Sequence, residues 1–232
     1  MFPIGILIMS TTFGKQYLWT TTIFLGLEAL IMLLVLRQLS GIISSFLSFT
    51  IIFAVSFWVE WWGVNTGILF GNYIYTDVLQ PKLLGVPIAI MFAWFAVSSS
   101  CFAWVTYIFK GNSLFTIALV STSLILASDI LLEPFASFVN NFWMWESFKI
   151  PVQNFITWFV LGFTFSLMLS FLLKRKNDAG SSIMKIPLVI MIINILNFSI
   201  VNLANGYYML TLIGLIIFGI IIIPAVLLKA KI

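Results

Sequence analysis

The chain has no histidine and a single cysteine, Cys101, and both shortages remove whole classes of chemistry. Without histidine there is no His-ligated metal or haem, and no Ser-His or Cys-His nucleophile. One cysteine cannot provide a disulfide framework, a multi-cysteine zinc site or a redox pair. Proton transfer must therefore use carboxyl groups, tyrosine, lysine or water.

Charge is also scarce. Only 8% of the 232 residues are charged, whereas a soluble domain has about 25%. Hydrophobic residues make up 62% of the chain, and the mean hydropathy is +1.17. A soluble fold of this length could not bury so much apolar surface, so the solvent of the chain is a lipid bilayer.

Seven apolar stretches are long enough to span a bilayer, because a transmembrane helix needs about 20 mostly apolar residues. They run over residues 17–36, 42–61, 86–109, 113–133, 154–173, 184–203 and 207–228. The sequence thus predicts an all-α, polytopic membrane helix bundle of about seven transmembrane helices. We expect one integral membrane domain over residues 1–232.

Two further segments are not predicted to span. The opening MFPIGILIMSTTF, residues 1–13, is too short and lacks the basic region of a signal peptide. The segment KRKNDAGSS, residues 174–182, is interpreted as a solvated polar linker.

Lysine and arginine predict the orientation, because basic loops stay in the cytoplasm. With seven spans, one side receives Lys15, Lys82 and Lys149. The other side receives Arg37, Lys110, Lys174, Arg175, Lys176, Lys185, Lys229 and Lys231. We therefore expect a multi-pass protein of the cell membrane with the N-terminus outside and the C-terminus in the cytoplasm. The net charge of +4 is explained by these loops and requires no nucleic acid partner.

Most acidic residues gather near the outer ends of the second and fourth spans. An ionisable group within a span costs about 2.5–3.5 kcal/mol at its centre on insertion scales and is a candidate for function. Asp77 and Glu146 are also compatible with ordinary outer loops that lack basic residues. Glu28 lies in the middle of the first span. The acids near the outer ends are Glu60, Asp77, Asp129, Glu133 and Glu146.

Two aromatic-rich loops are predicted on that same outer side. The first begins EWWGVNTGILFGNYIYTD, residues 60–77, and the second lies within residues 128–158. In the second loop, Asp129 and Glu133 are four residues apart and therefore share one face of a helix. Pro134 would end or kink that helix. The aromatic residues also suit a membrane interface, and the glycines suit helix packing. Together the loops favour a shared pocket for a long apolar ligand with one reactive end.

Such a pocket suits acid catalysis on a hydrocarbon. A carboxylic acid in apolar surroundings can stay protonated and act as a general acid. The weakest base that a lipid offers is an isolated C=C bond, whose protonation gives a tertiary carbocation. Aromatic faces stabilise such a cation, and a second carboxylate or an asparagine could position water to capture it. This chemistry needs no cofactor and no metal.

Residues 60–95 and 129–159 resemble the two signatures of the carotenoid biosynthesis membrane-protein family, which includes carotenoid 1′,2′-hydratases and the bisanhydrobacterioruberin hydratase. The resemblance implies addition of water to the terminal C=C of an acyclic, lycopene-type carotenoid, forming a tertiary alcohol. The implied partners are the bilayer, the carotenoid, water and other enzymes of the carotenoid pathway.

We expect Asp129 or Glu60 to donate the proton, with the other acid orienting water, helped by Asn154. Asp77 and Glu133 are further catalytic candidates. The residues expected to bind substrate or shape the pocket are Trp61, Gly63, Gly67, Gly71, Tyr73, Tyr75, Trp143, Trp145 and Trp158.

Other functions remain compatible with these residues. A membrane carotenoid cyclase would use the same protonation, but an internal double bond would capture the cation. A non-catalytic carotenoid-binding protein would have a similar pocket. A membrane prenyltransferase is less consistent, since there is no second acidic cluster, and a transporter would usually show two related halves.

Overall fold

The computed structural model describes residues 14–109, 111–173 and 183–229, with side chains up to residue 223. The predictions for residues 1–13 and 174–182 therefore lie outside the described residues. Some of the lysine and arginine residues used to predict the orientation also lie outside the described residues. Those cations are Lys110, Lys174, Arg175, Lys176 and Lys231.

Seven long helices make up most of the described chain, which confirms the predicted all-α bundle. Six of them, α1 to α6, are long and apolar enough to cross a membrane, and the described side chains of α7 are apolar over Tyr208–Ile223. The helices are α1 Thr20–Ser40, α2 Ile42–Thr66, α3 Ile88–Ile108, α4 Leu114–Glu133, α5 Val152–Leu172, α6 Lys185–Ala204 and α7 Tyr208–Lys229.

The helix α2 continues to Thr66, five residues past the predicted end at 61. It ends at Gly67, whose φ of 68° is left-handed and whose N–H donates to the Gly63 carbonyl. A left-handed C-cap of this kind favours glycine. As a consequence Glu60 lies inside the helix, more than one turn before its end.

The helix α4 changes its geometry at Pro134. The chain continues as a π-helical segment over Pro134–Val139, so the proline neither stops the helix at once nor leaves it unchanged. Proline has no N–H to donate to the preceding turn. The Asn140 backbone N–H donates to the Phe135 carbonyl at 3.1 Å, closing the wider turn. Short π segments of this kind are frequent at functional sites.

A short antiparallel pairing joins the two predicted loops. Strand β1, Tyr73–Tyr75, pairs with β4, Trp143–Trp145, in a register that sets Tyr73 opposite Trp145 and Tyr75 opposite Trp143. A second pair, β2 Lys82–Leu83 with β3 Val86–Pro87, lies between β1 and α3. Because the β1–β4 ladder links the α2–α3 loop to the α4–α5 loop, both loops lie at one end of the bundle, as expected.

Helix α3 forms the centre of the bundle. In its most apolar window 72% of the residues are buried, against 28% to 50% for the other spanning helices. It packs against α1, α2, α4, α5 and α6. Helix α4 packs in turn against α5 and α7. This arrangement brings the loop-proximal turns of α2, α3, α4 and α5 together around one space.

Candidate functional site

A cavity lies at the loop end of the bundle. Its empty space is about 980 Å³ including the mouth. Helices α1 to α6 and both loops contribute to its walls, which are mostly aliphatic and aromatic. Three carboxyl groups interrupt this apolar lining, and no described residue that lines the cavity is basic.

Glu60 is one of these carboxyls and is almost fully enclosed, with 4% of the residue exposed. Its Oε2 accepts hydrogen bonds from the Tyr73 hydroxyl at 2.8 Å and the Tyr75 hydroxyl at 2.7 Å. Its Oε1 accepts one from the Trp94 indole N–H at 3.0 Å. Three neutral donors on two oxygens form a surrounding suited to an ionised carboxylate.

The two phenols lie in the α2–α3 loop, outside the helices that span the membrane. Burial, followed by the neighbouring Glu60 carboxyl, raises the pKa of Tyr73 and of Tyr75 well above the ordinary value. Both hydroxyls therefore stay protonated and remain hydrogen-bond donors at any physiological pH.

Asp129 and Glu133 form a second carboxyl pair on one face of α4. Asn154, at the start of α5, donates from its Nδ2 to Asp129 Oδ2 at 3.1 Å and to Glu133 Oε1 at 3.0 Å. The other Glu133 oxygen, Oε2, accepts indole N–H bonds from Trp145 at 3.0 Å and Trp143 at 3.4 Å. One carboxamide thus holds the two acids in a fixed relation.

Asp129 differs from the other two carboxyls in its partners. It is fully buried, and its Oδ1 has no hydrogen-bond partner among the described residues. A buried carboxylate oxygen without a donor is costly, whereas a neutral acid tolerates such surroundings better. Asp129 is therefore the carboxyl of the cluster best suited to hold a proton.

Aromatic rings surround the carboxyls. Trp94 of α3 stacks on Trp158 of α5, with ring centroids 3.8 Å apart and planes 21° apart. The ring of Tyr73 lies 5.2 Å from that of Trp145, and Tyr75 meets Trp143 edge-on at 6.3 Å. These contacts fix several π faces and edges along the cavity wall.

The structure brings most of the predicted site residues together. Asn154 and the aromatic residues predicted to bind substrate meet the three acids around this cavity, apart from Trp61. The predicted residues that line it are Glu60, Tyr73, Tyr75, Asp129, Glu133, Trp143, Trp145, Asn154 and Trp158.

Asp77 is not brought to the cavity, in contrast to our expectation of a catalytic role. Its side chain is 93% exposed and forms an ion pair of 2.8 Å with Lys82. The hydrogen bond and the charge of Lys82 hold the pKa of Asp77 below its ordinary value. Trp61 is likewise absent from the lining, because its position on α2 differs from that of Glu60 by one residue, about 100° around the helix.

The three predicted glycines support the walls without lining the cavity. Gly63 leaves room for Phe70, since an added Cβ would lie 2.5 Å from that ring. Gly71 has a φ of 102°, and an added Cβ would lie 2.6 Å from Pro151 at the start of α5. Gly67 caps α2 as described above. Gly71 thus allows the two loops to approach each other, whereas Gly63 and Gly67 allow the first loop to fold against the end of α2.

The sequence interpretation missed Trp94 and Asn194. Trp94 lies in an aromatic span with no neighbouring acid, so nothing local distinguished it from an ordinary core residue. Asn194 is a polar residue in the middle of an apolar span, and that signal could have been used. Glu28, noted for its mid-span position, accepts a hydrogen bond from Asn194 Nδ2 at 3.2 Å.

Within the described ranges, no group of three or more Asp, Glu, Cys or His side chains is arranged to hold a metal ion. Cys101 is buried in α3 as a free thiol and does not line the cavity. The residues that can act chemically here are the three carboxyls, the amides and the hydroxyls.

An apolar helix bundle with an aromatic, acid-bearing cavity defines a multi-pass membrane protein, and the mostly apolar lining suits an apolar ligand. The model of the carotenoid biosynthesis protein family matches residues 20–221, and the chain belongs to that family. Membership assigns it a role in carotenoid biosynthesis. Comparisons with curated proteins and with solved structures found no match.

Proposed function

We propose that the protein is a carotenoid hydratase that adds water to the terminal C=C bond of an acyclic, lycopene-type carotenoid. The observation that carries the proposal is the meeting of three buried carboxyls with unequal hydrogen-bond partners in one aromatic cavity. Membership of the carotenoid biosynthesis family supplies the class of substrate.

The first step is protonation of the alkene. Asp129 transfers its carboxyl proton to the less substituted carbon of the terminal double bond, and the π electrons form the new C–H bond. General acid catalysis by a positioned side chain contributes about 10²–10⁴-fold. Asn154 supports this step by holding Asp129 through one oxygen, while the other has no hydrogen-bond partner among the described residues.

The second step is stabilisation of the tertiary carbocation. The stacked Trp94 and Trp158 rings and the Tyr73 and Tyr75 rings line the cavity, where their π faces attract positive charge. Glu60 and Glu133 add negative charge close to it, each accepting three neutral hydrogen bonds. A desolvated cation gains more from such groups than an exposed one would.

The third step is capture by water. A lone pair of the water oxygen bonds to the cationic carbon, and the resulting oxonium loses a proton to a nearby carboxylate. Transfer of that proton back to Asp129 resets the site, so the net change is the addition of one water molecule. Asn154 bridges Asp129 and Glu133, which makes Glu133 a suitable partner for the return of the proton.

Expression in a lycopene-producing bacterial host, followed by pigment chromatography with mass detection, tests the proposal. The expected products are hydroxylated carotenoids heavier than their precursor by one water or two. New pigments of unchanged mass would indicate a cyclase instead. A shifted absorption spectrum of the bound carotenoid, with no new pigment, would indicate binding alone. Either result would contradict the hydratase proposal.

A further inference from the structure

A second set of polar residues reaches the same cavity from other helices. Thr21 of α1, and Asn194 and Asn197 of α6, are among the residues that line it. Glu28 lies seven residues after Thr21, two turns further along the same face of α1. We call Thr21, Glu28, Asn194 and Asn197 the polar wall. The carboxyl cluster, in contrast, is carried by α2 and α4.

Glu28 holds Asn194 in place without lining the cavity itself. It is buried, with 5% exposed, and its Oε2 accepts the hydrogen bond from Asn194 Nδ2 across the α1–α6 contact. A carboxamide has two N–H donors and a carbonyl acceptor. An amide held through its NH₂ group can therefore still present its carbonyl oxygen to the cavity.

Thr21 gives a second, independent sign of a ligand. Its residue is 5% exposed and lines the cavity, yet its Oγ1 has no hydrogen-bond partner among the described residues. A buried hydroxyl without a partner costs free energy, and a hydrocarbon end group offers none. An oxygen-bearing ligand beside Thr21 would satisfy this hydroxyl.

We infer that the polar wall is the subsite that binds the reacting water, with Thr21 and Asn194 contacting it and Glu28 as the positioning residue of Asn194. This inference rests on the proposed hydration. Both N–H bonds described for Asn154 go to the carboxyl cluster, whereas the single bond described for Asn194 leaves a second N–H as well as the carbonyl oxygen to orient the nucleophile. The alkene is then protonated by the carboxyl cluster and attacked by water held at the wall.

The inference makes water capture separable from protonation. A cation that is not captured loses a proton from an adjacent carbon to a carboxylate, which restores a C=C bond. In D₂O the recovered carotenoid then carries deuterium or a shifted double bond. We define the partition ratio as the amount of uncaptured, deuterated or isomerised carotenoid divided by the amount of hydrated product. This ratio reports on the water subsite alone, whereas the sum of the two amounts reports on protonation.

The test uses membranes containing the full chain, incubated with lycopene in D₂O and examined by mass spectrometry. We expect Asn194→Leu and Thr21→Val to raise the partition ratio about tenfold, roughly the worth of one hydrogen bond to the water, while the sum stays near that of the unmodified protein. Asn205→Leu is the matched control for the loss of an amide, since Asn205 directly follows α6, is exposed, does not line the cavity and bonds only to the end of its own helix through its side chain, to the Val201 carbonyl.

A pair of changes at Glu28 keeps the test independent of how Asn194→Leu folds. Glu28→Gln retains an acceptor for Asn194 and should leave the ratio unchanged, whereas Glu28→Leu should raise it. The inference would be overturned if the partition ratio were unchanged in all variants of the polar wall, or if uncaptured carotenoid and hydrated product fell equally. Either result would leave the proposed hydration intact. If the unmodified protein formed no hydrated product and took up no deuterium, the proposed hydration would be overturned as well.

Discussion

Three buried acids share one cavity, yet their neighbours differ in a way that separates their chemical roles. Glu60 and Glu133 each accept three hydrogen bonds from neutral donors, and Asp129 accepts one. Hydrogen bonds of this kind satisfy a carboxylate, because an ionised carboxyl is only an acceptor. The proton is therefore expected on Asp129.

Replacing Asp129 by asparagine keeps its shape and removes the acid. We expect Asp129→Asn to insert and fold but to lower the hydrated product by at least about 100-fold, because general acid catalysis is lost. Pigment mass spectrometry on the lycopene-producing host measures the product. Glu146→Gln, an exposed acid of the same loop region, is the matched control and should be neutral. Near-normal hydration by Asp129→Asn would exclude Asp129 as the donor.

The two stacked tryptophans give a second comparison at single residues. Trp94→Phe keeps a ring but removes the donor to Glu60 Oε1, leaving a buried carboxyl oxygen unsatisfied at a cost of about 1–3 kcal/mol. Trp158→Phe also trims the stack but removes no described bond to Glu60. We expect the first change to reduce hydration several-fold more than the second. Equal losses would show that ring size alone matters.

Much of this residue detail could not be predicted from the sequence. Glu60, Tyr73 and Tyr75 lie within 16 residues of one another, so an acid beside aromatic rings was visible. Their partner Trp94 is 34 residues from Glu60 and lies in a span with many other aromatic residues. Only the packing of α3 against α2 brings them together. Asp77, by contrast, is close to the same tyrosines in the sequence but lies in a loop, where no helix buries it.

At the scale of elements, the α2–α3 and α4–α5 loops form one structure. The β1–β4 ladder joins them, and Gln153 at the start of α5 donates from its Nε2 to the Gly67 carbonyl at 2.9 Å. Three-residue strands separated by about 70 residues leave no clear pattern in a sequence. Hydropathy therefore predicted the helices and the shared end of the loops, but it did not predict that the loops pair.

Gly71 provides a test of this loop contact. Gly71→Ala should lower the midpoint of thermal unfolding in detergent and reduce hydration, since its Cβ would collide with Pro151 and separate the loops. Gly85→Ala is a matched control, because Gly85 has a similar φ of 87° but nothing within 4 Å of an added Cβ. Both changes carry a backbone cost of about 1 kcal/mol, so a larger loss at Gly71 isolates the loop contact.

Equal loss of stability in both glycine variants would mean that backbone strain accounts for the effect. The contact with Pro151 would then contribute little to holding the loops together.

At the scale of the whole molecule, the seven helices have the order and approximate bounds that hydropathy predicts. The largest boundary difference is at α2, where the buried Glu60 continues the helix instead of ending it. The prediction succeeded because bilayer thickness limits helix length. The predicted helix bounds were less exact at the loop end of the bundle. There the polar groups form hydrogen bonds within the protein, so their positions in the sequence no longer mark the membrane surface.

The predicted orientation can be tested by cysteine labelling. Cys101 is fully buried, so the unmodified chain should give little reaction with a membrane-impermeant maleimide. A cysteine introduced at exposed Glu146 should be labelled on intact cells, because we place the loop end outside. The control is a cysteine at exposed Arg37, near the opposite end of α1, which should react only after the membrane is opened. The reverse pattern would invert the predicted topology.

The absence of cations from the described cavity lining has a consequence for selectivity inside a crowded membrane. Phospholipids and fatty acids far outnumber carotenoids there, and many of them end in a phosphate or carboxylate. Such a headgroup would meet three acids and no counter-charge, which is costly at low dielectric. We therefore expect the cavity to disfavour lipids with anionic headgroups and to admit uncharged tails, a discrimination achieved by repulsion of competitors.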